Sequence, residues 1–256
     1  AARLAGATLQ RYPHNDALAA ERMLSTRTAA NTLIATDGVF SMDGDIAPLP
    51  ALARLASAQN AWLLVDDAHG LGVLGRTGRG IEEHFGMPGS VDVLMGTFSK
   101  APGSVGGYVT GSRALVDYLR FFARAGMFTA SLPAPICAGI AESFRVIDDE
   151  PELRTRLWEN SRRLWSGLRA AGLHVPETAA PIVTVFLGDD RLLYGASLAL
   201  FERGFKLGNV GFPSVARGQG ILRLSVSARH TDEEIDRVVD AITTIARQHD
   251  ILGRTR

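Results

Sequence analysis

Leu63-Leu-Val-Asp-Asp-Ala-His-Gly70 is an apolar run that ends abruptly in two carboxylates and an imidazole. Short runs of this kind alternate along the chain with Ala/Leu/Arg segments of helical spacing, the pattern of an α/β protein with a largely parallel sheet. Strands are expected over residues 32–35, 61–65, 91–95 and 107–110. A helix over 49–60, entered through Pro48 and Pro50, lies between the first two. A glycine-rich loop and a short helix over 81–85 lie between the next two. Further helices are expected over 113–125 and from Pro133 and Pro135 to about 147.

From Asp148 the texture changes. Asp148-Asp-Glu-Pro-Glu152 opens an Arg-rich helix running to Leu168, followed by a strand over 183–187, a helix near 196–203 and a strand over 222–226. Thr231-Asp-Glu-Glu234 announces the closing helix as a capping box, in which hydroxyl and carboxylate satisfy free N–H groups. The reading is a large domain over 1–148 and a smaller C-terminal α/β domain over 149–256.

The 256 residues are 46% hydrophobic, enough to bury a sizeable core. Lys plus Arg number 27 and Asp plus Glu 27, so no net charge favours nucleic acid or an anionic membrane. No apolar run approaches the ~18 residues of a membrane span. The single cysteine, Cys137, permits no internal disulfide and reads as a small buried hydrophobe. A cytoplasmic protein is expected. The chain opens without Met, in Ala1-Ala-Arg-Leu-Ala-Gly-Ala7, so an upstream segment is expected as well.

Only two of the 27 basic residues are Lys, Lys100 and Lys206. A position that stays Lys in an Arg-rich chain points to an amine that can lose its proton and act as a nucleophile. Lys100 follows a strand in Gly96-Thr-Phe-Ser-Lys-Ala-Pro-Gly-Ser-Val-Gly-Gly107, among the hydroxyls of Thr97, Ser99 and Ser104. The C-terminal ends of strands are where α/β sheets place ligands. This segment reads as a Schiff-base lysine with hydroxyls and loop N–H groups for a phosphate, or else as a surface turn. Lys206 has no such company and reads as a surface residue.

Asp66 falls at the last sheet position and His69 three residues on, placing both at one crevice for metal binding, acid–base work or pairing with a ring nitrogen. Gly70-Leu-Gly-Val-Leu-Gly75 matches the dinucleotide glycine pattern only formally. In that fingerprint the glycines follow the strand directly and open a helix. Here Asp66, Asp67 and His69 intervene and Arg76-Thr-Gly-Arg-Gly80 continues the loop. Asp43-Gly-Asp45 lacks the later ligands of a calcium loop and reads as turn chemistry, so no metal is expected. Ser41 in the same segment is placed to reach a ligand.

Three segments in order resemble one family, the α-oxoamine synthases, pyridoxal-phosphate enzymes of the aspartate-aminotransferase fold type. They are Thr36-Asp-Gly-Val-Phe-Ser-Met-Asp-Gly-Asp-Ile-Ala-Pro-Leu49, Val65-Asp-Asp-Ala-His-Gly-Leu-Gly-Val-Leu-Gly-Arg-Thr-Gly-Arg-Gly80 and Gly96-Thr-Phe-Ser-Lys100. Phe128-Thr-Ala-Ser-Leu-Pro133 and Leu222-Arg-Leu-Ser-Val-Ser-Ala-Arg-His-Thr231 resemble its later landmarks. The resemblance implies pyridoxal 5'-phosphate bound through Lys100, with Asp66 on the pyridine nitrogen. His69 and Ser41 would bond the phenolic oxygen, Thr97 and Ser99 the phosphate, and Arg223 the substrate carboxylate. Thr129 or Ser131 would reach the phosphate across a homodimer interface. The implied reaction condenses an amino acid with an acyl thioester and releases carbon dioxide. Alanine with a pimeloyl thioester is favoured over serine with palmitoyl thioester or over glycine. An aminotransferase and an inactive partner subunit are the rival readings. Family members carry a long N-terminal portion before Arg3 that includes part of the cofactor cradle. The 256 residues alone are therefore expected to bind the cofactor weakly.

Overall fold

β-Branched and leucine-rich runs bounded by polar turns form the strands that organise the computed structural model, which describes residues 2–176, 178 and 180–253. The first sheet has the order β1 (Leu33–Asp37), β2 (Trp62–Asp66), β3 (Val93–Thr97), β4 (Gly107–Gly111). β1, β2 and β3 run parallel and β4 antiparallel. α1 (Ala17–Ser25), capped by the Asp16 carboxylate on Ala19 N–H, packs near α2 (Leu49–Ala58), the crossover between β1 and β2. Leu49, Leu52, Leu55 and Ala56 of α2 close on Leu63 and Val65 of β2. Alternation along β2 buries Leu63 and Val65 on one face and leaves Leu64 and Asp66 on the other. Asp67 continues the ladder by donating its N–H to the Met95 carbonyl, so it joins the buried face and Asp66 does not.

α3 (Ile81–His84) follows the glycine loop. After β4 come α4 (Arg113–Phe122) and α5 (Arg124–Met127), where the sequence pattern reads as one helix. Ala123 is extended at φ −75°, ψ 105°, and no glycine or proline marks the break. α6 (Ala134–Asp149) keeps Asp148 and Asp149, and α7 (Pro151–Ala170) starts later than expected. The cause is Pro151, which favours the first helical position and disfavours a helical Glu150 before it.

The second sheet is antiparallel, ordered β5 (Ile182–Gly188), β7 (Gly220–Ser225), β6 (Gly208–Val210), with α8 (Asp190–Glu202) and α9 (Asp232–Gln248). The capping box at Thr231 and Glu234 forms as expected. β6 was not expected, since Gly208-Asn209 carries neither alternation nor branched side chains. Leu164 and Leu168 of α7 pack with β5, β7, α8 and α9 into one core, while a separate cluster surrounds β1 and β2. Cys137 corrects the sequence reading: it is exposed, because α6 buries only Ile140 among its described residues. Among the described residues no helix is long and apolar enough to cross a membrane.

Candidate functional site

A cleft of about 710 Å³ opens where the C-terminal ends of β2 and β3 face β7. Its size suits a small-molecule ligand. Lys100, His69 and Arg223 line it, contributed by three different parts of the chain. Lys100 sits at the tip of a loop closed by Phe98 N–H on the Gly106 carbonyl (3.0 Å) and Ser104 N–H on the Phe98 carbonyl (2.7 Å). From α6, Ser143 Oγ donates to the Pro102 carbonyl at 2.8 Å and steadies the loop from behind. At its base, Thr97 Oγ1 and Ser99 Oγ are hydrogen-bonded at 2.9 Å, and Thr97 also reaches the Gly106 carbonyl. Lys206 is exposed and lies outside the cleft.

Asp66 lies beside Asp37 in register across β1 and β2, and its Oδ1 accepts the Ala68 N–H at 3.0 Å. Burial, then the Asp66 charge, pushes the Asp37 carboxyl up, while Lys100 and His14 pull it back. Burial pushes His69 down to about 4, helped by Lys100 and Arg223 and opposed by Asp66. His69 is therefore a neutral imidazole at physiological pH. Because the folded value lies below the ordinary 6.5, its contribution to stability is intact above pH 6.5 and lost as pH falls toward 4. In a proton NMR titration the His69 ring is expected to titrate with a midpoint near 4; a midpoint near 6.5 would show that the cleft does not desolvate it.

Arg223 Nε donates to the Ser41 carbonyl at 2.6 Å, tying β7 to the loop after β1. Burial lowers the guanidinium from its ordinary value. Ser41 thus stands beside Arg223, a contact across 182 positions that spacing along the chain does not reveal. Thr129 and Ser131 are exposed between α5 and α6 and do not line the cleft of their own chain. His14, Asp43 and Asp45 bring ligand atoms within 4.8 Å of one another. There His14 Nε2 bonds Asp45 Oδ2 at 2.7 Å and Asn15 Nδ2 bonds the same oxygen at 2.5 Å, fastening the turn to the segment before α1.

Two carboxylates, Asp67 and Glu83, organise the glycine loop, and the sequence pattern singled out no such role for either. Glu83 accepts the N–H groups of Thr77 and Arg79 and the Thr77 hydroxyl. Asp67 accepts the Ile81 N–H at 2.8 Å. Within the Gly70–Gly75 pattern itself the N–H groups are spent on backbone carbonyls, Gly70 and Leu71 on Asp67, Gly72 on Gly78, and Val73 and Leu74 on Gly70, so they do not point outward as a dinucleotide phosphate would need. From α7, Arg154 donates to the Arg76 carbonyl and Trp158 Nε1 to the Val73 carbonyl, holding the loop against the cleft wall.

A family model described as aminotransferase class I and II matches residues 1–242. The chain belongs to the class I and II aminotransferase family. Similar members of this family include the 8-amino-7-oxononanoate synthase of Methylococcus capsulatus, 44% identical over 246 residues. That match covers 96% of this chain and 64% of the relative, so the chain spans less than two thirds of that protein's length. A serine palmitoyltransferase structure with pyridoxal phosphate superposes with a TM-score of 0.91 at 35% identity, covering 96% of this chain and 62% of that one. The Francisella tularensis 8-amino-7-oxononanoate synthase gives 0.82 at 28% identity, covering 97% and 72%. The fold is that of the fold-type I pyridoxal-phosphate transferases, with a mostly parallel first sheet.

Proposed function

We propose that this class I and II aminotransferase relative carries catalytic residues of a pyridoxal-phosphate C-acyltransferase. It joins a small amino acid to an acyl thioester, releasing carbon dioxide and the thiol and leaving a 2-amino ketone. Alanine and a pimeloyl thioester are the favoured pair, as in an 8-amino-7-oxononanoate synthase of biotin synthesis, on the strength of the similarity to relatives of that name. The observation that carries the reading is the convergence of Lys100, His69 and Arg223 on one cleft at the ends of β2 and β3.

The donor set fits the cofactor: an amine for its aldehyde, a strand-end carboxylate for its ring nitrogen, a neutral imidazole for its phenolic oxygen and a hydroxyl pair for its phosphate. When bound, pyridoxal phosphate supplies an electron sink for negative charge at the substrate Cα. Lys100 Nζ holds the aldehyde and, when free, accepts the Cα proton. Asp66 keeps the ring nitrogen protonated. His69, neutral by desolvation, donates an N–H toward the phenolic oxygen, with the Ser41 hydroxyl beside it. Thr97 and Ser99 hold the phosphate, and the planar fork of Arg223 receives the substrate carboxylate.

Thr129 or Ser131 serves the phosphate of a second copy in a homodimer. Both residues are exposed, and α4 with its neighbours leaves Tyr118, Phe121, Phe122 and Phe128 exposed to meet a partner. The chain works in the cytoplasm, divided into a large domain over 1–148 and a small one over 149–256. A serine palmitoyltransferase activity is the second reading, favoured by the higher TM-score of that structure. Release of coenzyme A, measured with alanine, serine and glycine against pimeloyl and palmitoyl thioesters, separates them. The fastest release is expected with alanine and pimeloyl-CoA. Preference for serine and palmitoyl-CoA would replace the first reading by the second, and amino transfer without thioester use would overturn both.

A further inference from the structure

Asp67 is 1% exposed, the most deeply sequestered carboxyl beside the cleft. Its Oδ2 has the Ile81 N–H, but its Oδ1 is buried with no hydrogen-bond partner. Gly38, Gly70 and Gly80 crowd it so closely that a methyl on any of them would overlap the carboxyl. The ionisable groups that face it are acidic: Asp66 from β2 and Glu82 from α3, with the Tyr108 hydroxyl of β4 raised first by burial and then by Asp67 itself. An ionised carboxylate here would leave one charged oxygen unpaired among like charges, a far heavier cost than a neutral orphan group in the same place.

We propose that Asp67 is a positioning residue that works as a neutral carboxylic acid. Oδ2 bolts the start of α3 beneath the His69–Gly70 turn, and Oδ1 carries the proton. Asp66, on the opposite face of the same strand, then holds its negative charge without a second one behind it. This deepens the reading above, because it gives Asp66 and His69 the fixed positions that pairing with the cofactor ring requires. Burial pushes the Asp67 carboxyl up to about 7, consistent with a proton retained below about that pH.

The sign of the pH dependence follows. The folded value lies above the ordinary 3.8, so the stabilising contribution of this proton is complete below pH 3.8 and disappears as pH rises through about 7. Asp67→Asn cannot ionise and keeps an oxygen for the Ile81 N–H. Its melting temperature minus that of the native chain should rise by about 4 °C or more between pH 5.5 and 8.5. A difference that stays constant overturns the proposal. If Asp67→Asn fails to fold, carbon-13 NMR of aspartate carboxyls in the native chain decides. A buried carboxyl titrating near 7 is expected, and the absence of any aspartate titrating above 5.5 refutes it. As the readout of positioning, pyridoxal phosphate affinity should weaken from pH 6 to 8 in the native chain and less so in Asp67→Asn. Equal pH dependence in both refutes the link to Asp66. Failure of both proteins to bind the cofactor at any pH overturns the functional reading and the positioning role with it, while the melting and NMR titrations still judge the proton.

Discussion

Lys100→Ala should lose all covalent capture of pyridoxal phosphate by borohydride and slow the condensation by at least about 10³-fold, within the range that a positioned acid–base group supplies. Lys100 is exposed at the cleft mouth on a loop held from both sides, so truncating it removes an amine without opening a cavity. Thermal stability should therefore change little, and loss of capture cannot be ascribed to unfolding. Lys100→Arg is a sharper variant. It keeps the positive charge felt by His69 and Asp37, yet a guanidinium neither condenses with an aldehyde nor gives up its proton near neutral pH. Mass mapping after reduction should find the pyridoxyl group on Lys100 in the native chain and on no residue in either variant. Label on Lys206, or label surviving in Lys100→Ala, would remove the foundation of the functional reading.

β2 was legible because it is a short apolar run whose burial follows a period of two, and tertiary packing agrees with that local preference, whereas β1, β3 and β4 were legible as short β-rich runs between turn residues. The same alternation sets Asp66 and Asp67 on opposite faces of β2, a distinction available from two letters of sequence. What stayed hidden needed three dimensions. β6 pairs through its backbone against β7, with Gly208 lying close to the Arg223 carbonyl, and backbone pairing leaves no side-chain signal. Cys137 is apolar in type but sits on a helix that turns most of its surface outward. Nothing in the expected helix over 81–85 marks Glu83 out, and only the closed loop shows that it collects the N–H groups of Thr77 and Arg79.

The residues around the cleft therefore divide by how they are held. Lys100, Thr97 and Ser99 belong to a loop fixed by its own backbone, so their spacing in sequence carries their geometry. His69 and Asp66 depend on the glycine loop, which is organised by the buried Asp67 and the half-buried Glu83 and strapped to α7 by Arg154 and Trp158. Arg223 depends on the second sheet docking against the first, through its bond to Ser41. Chemistry was readable where it is local, and positioning was not.

Gly80→Ala is expected to cost about 4 kcal/mol, a fall in melting temperature on the order of 10 °C for a chain of this size. Gly80 precedes α3 with φ +90° and ψ −156°, a region essentially restricted to glycine that costs an L residue about 1–3 kcal/mol. The added methyl would also overlap Asp67 Oδ2, the oxygen that accepts the Ile81 N–H. Asp67 is short and enclosed, so it cannot swing aside without stranding that N–H, a further loss of about 1–3 kcal/mol. Gly86→Ala is the control: its φ is +63°, but nothing stands within 4 Å of the new methyl, so only the backbone cost remains. Chemical denaturation should therefore rank Gly80→Ala well below Gly86→Ala. Equal losses would mean that Asp67 yields freely, and the glycine loop would then owe its shape to backbone preference alone.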